Sequence, residues 1–372
     1  MRKYIFMAAM LAASTAFVGC SNDESENPKD SKTPISFNIT NHSGTRATPT
    51  TSSNYLSRVS DFQVWGYFAS GATGAGVTAG ARYIGSSDTN GATINGDGSG
   101  NWSYATASEM AFWPPTTAPL NFQAITPASD ASITSISNTL SNGLAHVVAN
   151  VTIPTANSAQ RDIMFATTPG VTKSTSSGKV NLAFKHALAQ ILFNAKTANS
   201  AITAEISEIT LCNILNTGQV GFLAAGDAAG VVNLGFSTST STVASYSVGL
   251  ASDKAVTSTA KSMTASDGAL ILLPQTTTAW STSSSITTAN TNQQTYIKVG
   301  CKVYDNGVTL VDGYIYIPFK ADWVQGKKYT YTLVFGSGSG GYDENGNPQI
   351  VPISFSISSA DWTAVDGGSI NA

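Results

Sequence analysis

Apolar and polar residues alternate one by one in short runs along this chain, and the first clear run is residues 34–46, PISFNITNHSGTR. Ile35, Phe37 and Ile39 alternate with Ser36, Asn38 and Thr40, so an extended backbone places the three apolar side chains on one face and the polar ones on the other. The pattern predicts a β-strand. It is followed directly by NHSGTR, a polar stretch with a glycine, in which Arg46 sits where a trypsin-like protease reaches an exposed loop. A strand that carries its own release site is a candidate for removal. Near the other end, residues 352–357 read PISFSI, against PISFNI at residues 34–39. Two segments with one in/out pattern fit the same kind of groove, one from within a subunit and one from a neighbour. A chance match between ordinary strands is the plainer alternative.

Further strands are expected at residues 62–68, 110–113, 120–126, 145–153 and 162–166, with Pro114-Pro115 forcing a turn between the second and third. Only residues 133–140, ITSISNTL, read as a brief helix. Residues 167–178, TTPGVTKSTSSG, form a polar run with Pro and Gly and mark a domain boundary. Residues 179–196, KVNLAFKHALAQILFNAK, alternate as a strand at Val180, Leu182 and Phe184 but equally offer Phe184, Leu188 and Ile191 as a helical stripe; a single bulged strand is the expectation. Strands follow at 206–215, 269–273, 295–304, 308–317, 329–335 and 349–357. Asp305-Asn306-Gly307 is a hairpin signal, because Asn-Gly accepts the positive φ angles of a two-residue turn.

The 372 residues suggest two domains after the first nineteen are set aside as a targeting segment. Arg2 and Lys3 are followed by an uncharged, mostly apolar stretch to Val18, short for a membrane span and suited to secretion. It ends Phe17-Val18-Gly19-Cys20, which resembles a bacterial lipoprotein cleavage site with Cys20 as the acylated first residue, although Phe17 stands where Leu is usual. Residues 21–26, SNDESE, resemble the tag that sends Bacteroidales lipoproteins to the outer face of the outer membrane. No later stretch is apolar enough to span a bilayer, so the lipid would be the anchor.

Charged residues are only 11% of the chain, and removing Arg2 and Lys3 with no acid takes the formal net charge from −3 to −5, which argues against a nucleic-acid partner. Of three cysteines, Cys212 and Cys301 remain beside Cys20; both lie in strand patterns, and spacing alone leaves open whether they pair.

The order LNFQAITP, DIMFATTPG, VNLAFKHALAQILF, ITLCNILNTG, ALILLPQ, YIYIPFKADWVQGKKYTYTLVF and SISSADW resembles the Bacteroidales fimbrillins, the Mfa-like and FimA-like type V pilins, over most of residues 34–362. Its most specific elements are Phe184 and His186 in FKHALA, Leu273-Pro274-Gln275, and WVQGKKYTY from Trp323 to Tyr331. The resemblance implies an all-β protein of two transthyretin-like Greek-key β-sandwich domains in tandem. It implies a signal peptide at 1–19, a lipidated propeptide at 20–46 with the first strand, and domains at 47–175 and 176–372. It also implies cleavage between Arg46 and Ala47 by an Arg-specific protease, displacement of the strand bearing Ile35, Phe37 and Ile39, and assembly with other fimbrillin subunits by donor-strand exchange in a surface fimbrium for cell adhesion. The ten residues after Trp362 depart from that pattern: Val365 and Ile370 are five apart and make a poor donor strand, which favours a tip or accessory subunit.

Catalysis is not expected. His42, His146 and His186 lie in separate contexts, no zinc spacing, nucleophile elbow or phosphate-cradling loop is present, and no cofactor or metal is implied. The runs at Asp97 and Asp343 look like calcium loops but are explained by turn chemistry. The competing function is a non-polymerising surface glycan-binding lipoprotein, which would show clustered exposed aromatics; Trp65, Trp102, Trp113, Trp280, Trp323 and Trp362 are instead scattered.

Overall fold

Alternating patterns become strands almost throughout the computed structural model, which describes residues 33–40, 61–97, 101–141, 144–222, 234–238 and 242–362. The first half contains β1 (Ser36–Thr40), β2 (Asp61–Phe68), β3 (Arg82–Ile84), β4 (Ala92–Gly96), β5 (Trp102–Tyr104), β6 (Leu120–Thr126), β7 (Ile133–Ser141), β8 (Leu144–Thr152), β9 (Met164–Val171), β10 (Lys179–Ala183) and β11 (Lys185–His186). The second contains β12 (Ala189–Thr197), β13 (Ile202–Leu215), β14 (Thr217–Phe222), β15 (Leu234–Thr238), β16 (Val243–Ser247), β17 (Ala255–Val256), β18 (Lys261–Ser262) and β19 (Leu270–Leu272). It closes with β20 (Tyr296–Asp305), β21 (Val308–Pro318), β22 (Lys327–Phe335) and β23 (Ile353–Asp361). Two short helices, α1 (Lys173–Ser176) and α2 (Ile286–Thr291), lie between strands.

The fold is all-β, with sheets packed as β-sandwiches in tandem along the sequence. A seven-stranded sheet runs β11-β9-β6-β2-β4-β5, with β3 on β2. Its two faces enter different cores. Phe62, Val64, Leu120, Phe122, Ala124, Met164 and Ala166 face a first core shared with β1 and β10. Trp65, Tyr67, Ile125 and Phe165, one residue out of phase, join Val147, Ala149 and Val151 of β8 in the second. The period of two along each strand sends successive side chains to opposite faces, so the central strands β2 and β6 are buried on both sides. The second sandwich is built from two five-stranded sheets, β18-β12-β22-β23 with β19 on β12, and β16-β13-β20-β21 with β17 on β13. Ile191, Phe193, Ile206, Val299 and Leu333 fill the space between them. β14 and β15 join β8 and β7 in a four-stranded sheet, so pairing between early and late strands crosses residue 175.

Three expectations need correction. Residues 133–140 form strand β7, not a helix, because a register shift between Ile133 and Ser135 brings Ile133 and Ile136 to one face of a strand. One extra residue in a strand shifts its apolar spacing in this way. Residues 179–196 are three strands in three sheets, not one bulged strand: β10 pairs with β1, β11 with β9, and β12 with β22, β19 and β18. The apolar phase changes there because the chain leaves the first core after Phe184 and enters the second at Ala187. Residues 110–113 form no strand, only an isolated bridge from Phe112 to Pro34. The Asn-Gly hairpin forms as expected, with Asn306 and Gly307 at φ 46° and 82° between β20 and β21.

Candidate functional site: the first strand and its groove

Ile35, Phe37 and Ile39 point into the first core at 0%, 5% and 3% exposure, as their alternation requires. Phe37 stands edge-on to three rings, Phe62, Tyr104 and Phe122, with centroids 5.9, 6.0 and 6.0 Å away. Such contacts add about 0.5–1.5 kcal/mol each beyond the burial itself. Burial also pushes the Tyr104 phenol up to about 12.

The backbone of β1 is held far less widely than its side chains. Among the described residues it pairs with one strand, β10, in parallel, from Ser36 opposite Lys179 to Thr40 opposite Ala183. Asn38 donates from Nδ2 to Asn181 Oδ1 at 3.1 Å on the exposed face. At the start of the strand the Ile35 N–H donates to the Ala111 carbonyl (2.9 Å), the Trp113 N–H to that of Thr33 (2.9 Å) and the Ser36 N–H to that of Gly178 (3.3 Å). Gly178 lies between α1 and β10 at φ 85°, a conformation that costs a residue with a Cβ. Thus β1 fills a slot whose walls are the seven-stranded sheet, β10 and the 111–113 segment. Sequence alone missed β10 as its partner, since nothing in a parallel pair separated by more than 140 residues marks the two strands for each other.

Arg46 and Ala47, and Cys20 before them, lie outside the described residues. The second PISF segment is placed differently from the first: it opens β23, an edge strand paired antiparallel with β22, and there Ile353 is buried while Ile357 is 52% exposed.

The remaining candidates are accounted for by packing. His42 lies outside the described residues, as does the side chain of His146. His186 is buried with its Nδ1 2.5 Å from Asp162 Oδ2, and burial pushes the Asp162 carboxyl up despite the histidine beside it. That acid, 24 residues upstream, carries no motif that sequence reading could have found. Cys212 and Cys301 are free thiols. They lie on neighbouring strands, but Cys212 faces Tyr296 and Cys301 faces Ile206 in the register, too far along the ladder to bridge. Burial pushes both thiols up, that of Cys301 to about 12. Asp343 Oδ1 accepts the backbone N–H groups of Asn345 and Asn347, and Asp97 Oδ1 that of Asn101, so both acids close turns. Among the described residues no group of three or more His, Cys, Asp or Glu is arranged to hold a metal. Five tryptophans are buried and Trp102 is half-buried, so none offers an open platform for a sugar ring.

The arrangement is that of an all-β protein of packed sandwiches in which the strand of Phe37 and Ile39 closes the first core. The chain belongs to the fimbrillin-like family, whose profile matches residues 45–362. It is therefore a structural protein of the surface fimbriae and not an enzyme. Among solved structures, a fimbrial protein from Bacteroides vulgatus superposes with a TM-score of 0.52 at 14% identity, covering 89% of this chain and 99% of that one. A candidate cell adhesion protein from Bacteroides uniformis gives 0.46 at 14% identity, covering 91% and 100%. No curated protein matches the sequence.

Proposed function

We propose that this chain is a fimbrial subunit made as a lipid-anchored precursor. Cys20 carries the acyl chain at the outer membrane, an Arg-specific protease cuts after Arg46, and Ala47 becomes the first residue of the mature form. The slot vacated by Ile35, Phe37 and Ile39 then receives a strand from another fimbrillin subunit. In this reading the mature body runs as two domains, 47–175 and 176–372, with β10 completing the first.

The observation that carries the reading is the contrast along residues 35–40: Ile35, Phe37 and Ile39 are buried in the first core, yet among the described residues β10 is the one strand hydrogen-bonded to β1. Removing such a strand breaks one ladder and the short bridge to residues 111–113. It leaves a groove with apolar walls and unpaired backbone groups, a combination that selects another alternating strand. The family match begins at residue 45, so β1 lies before the shared region while most of the residues that receive it lie inside.

The test is the N-terminal residue of the protein recovered from the cell surface. Ala47 is expected, with Arg46→Ala leaving a longer, membrane-bound monomer that starts at Cys20. A wild-type surface form that still starts at Cys20 overturns the reading in favour of a lipoprotein that does not polymerise.

A further inference from the structure

β23 is held in place in an unusual way. It is the edge of its sheet, paired on one side only, from Lys327 opposite Asp361 to Phe335 opposite Ile353. Burial falls away along it: Ile353 is buried, Ser354 and Phe355 are half-buried, and Ser356 to Asp361 are exposed. The next residue is buried again. Trp362, at 7% exposure, lies flat on the His186 ring, with centroids 4.0 Å apart and planes 6° from parallel, and its backbone N–H donates to the Gly326 carbonyl at 2.8 Å. His186 in turn belongs to β11 at the edge of the seven-stranded sheet, and its partner Asp162 lies just before β9. The strand is therefore fastened at its two ends, by Ile353 in its own core and by Trp362 on a histidine–carboxylate pair from another sheet.

We infer that Trp362, His186 and Asp162 form a latch that holds β23 on its sheet, and that opening the latch lets β23 detach from its C-terminal end while both cores stay folded. Opposing contributions meet at this point. Burying an indole against a flat ring favours the closed state. Against it, the His186 and Asp162 side chains are 3% and 0% exposed, and His186 Nε2 and Asp162 Oδ1 have no hydrogen-bond partner among the described residues, an arrangement that opening to water relieves. Between the fastened ends, beyond the half-buried Phe355 against the Phe319 and Tyr331 rings, the ladder to β22 alone holds the strand. The residues from Ser356 to Asp361 bury no side chain, their ladder lies at the water surface, and the Lys327–Asp361 ion pair is exposed and weak. A detached β23 bares the free edge of β22 without disturbing the groove of β1.

Hydrogen exchange of the full secreted chain tests this, comparing residues 356–361 with core strands at 120–126 and 297–303. Trp362→Ala is expected to speed exchange at 356–361 by about tenfold or more and leave the two core strands unchanged. Trp362→Phe, which keeps a ring to stack, stays close to wild type. Should Trp362→Ala fail to fold, the wild type decides alone: exchange at 356–361 proceeds by a partial opening that rises only shallowly with denaturant, whereas exchange at 120–126 tracks global unfolding and rises steeply. Exchange at 356–361 that rises with denaturant as steeply as at 120–126 in the wild type, no acceleration there in Trp362→Ala, or equal acceleration at all three segments, overturns the latch and makes Trp362 an ordinary part of the global fold.

Discussion

Phe37 and Phe62 meet edge to face, their ring centroids 5.9 Å apart and their planes 88° from one another. The proposed cut after Arg46 falls between them in sequence. With that cut one ring of the pair would leave with the propeptide and the other stay in the wall of the groove, so the contact would stabilise the precursor alone.

In a chain beginning at Ser31, Phe37→Ala is therefore expected to lower stability by about 3–5 kcal/mol, the usual loss for a large aromatic removed from a closed core. Asn38→Ala, on the exposed face with a single side-chain hydrogen bond to Asn181, should cost under about 1 kcal/mol. Urea unfolding of the two variants measures the difference. Similar losses for both would mean that β1 is held by its ladder and not by its apolar face.

Cys20→Ser should abolish acylation, since the thiol is the attachment point, and leave a precursor that is uncut or soluble. Metabolic labelling with a fatty-acid analogue reads this directly. Label on the Ser variant would contradict the assignment of residues 1–19 as a lipoprotein signal.

The stability of this protein should fall in alkali before its carboxylates or lysines matter. Burial pushes the Cys301 thiol and the Tyr331 and Tyr104 phenols up to about 12, and raises Cys212, Tyr246 and Tyr296 as well. In the unfolded chain these groups ionise near about 9 and 10. Above that range the unfolded state has released protons that the native state still holds, so stability declines as pH rises from about 9 towards 12 and is unaffected by these groups below about 8. Denaturation midpoints at pH 7 and pH 10 check the sign, and a higher midpoint at pH 10 would contradict it. The same burial predicts that neither Cys212 nor Cys301 reacts with a thiol reagent at pH 8 until denaturant is added, when two equivalents appear in a chain from Ser31.

What was legible in the sequence follows from how many cores a segment serves. Residues 120–126 were legible with correct bounds because Leu120, Phe122, Ile125 and Thr126 are strand formers, although the strand is buried on both faces and takes Asn121 and Gln123 inside with them. The Asn306-Gly307 turn was legible because positive φ restricts residue choice locally. Residues 179–196 were not, since Leu182 and Phe184 pack in one core and Leu188 and Ile191 in the other, and the chain crosses between them within a few residues. No single periodicity describes such a crossing. For the candidate site, Ile35, Phe37 and Ile39 declared their shared face, but β10 as partner and Asp162 beneath His186 are products of the fold, specified by long-range packing.

The central claim is that the slot of β1 accepts a replacement, and thermal melting of two chains, one from Ser31 and one from Ala47, tests it most directly. Burial of Ile35, Phe37 and Ile39 contributes about 1.5–3 kcal/mol each, comparable to the whole stability of a domain at about 5–15 kcal/mol. The chain from Ala47 is predicted to melt about 10 °C or more below the chain from Ser31 and to associate more readily. A peptide that alternates apolar residues in the pattern of Ile35, Phe37 and Ile39 should restore most of the difference. Equal melting temperatures, with no response to the peptide, would contradict strand replacement and leave residues 34–46 a leader without a structural role.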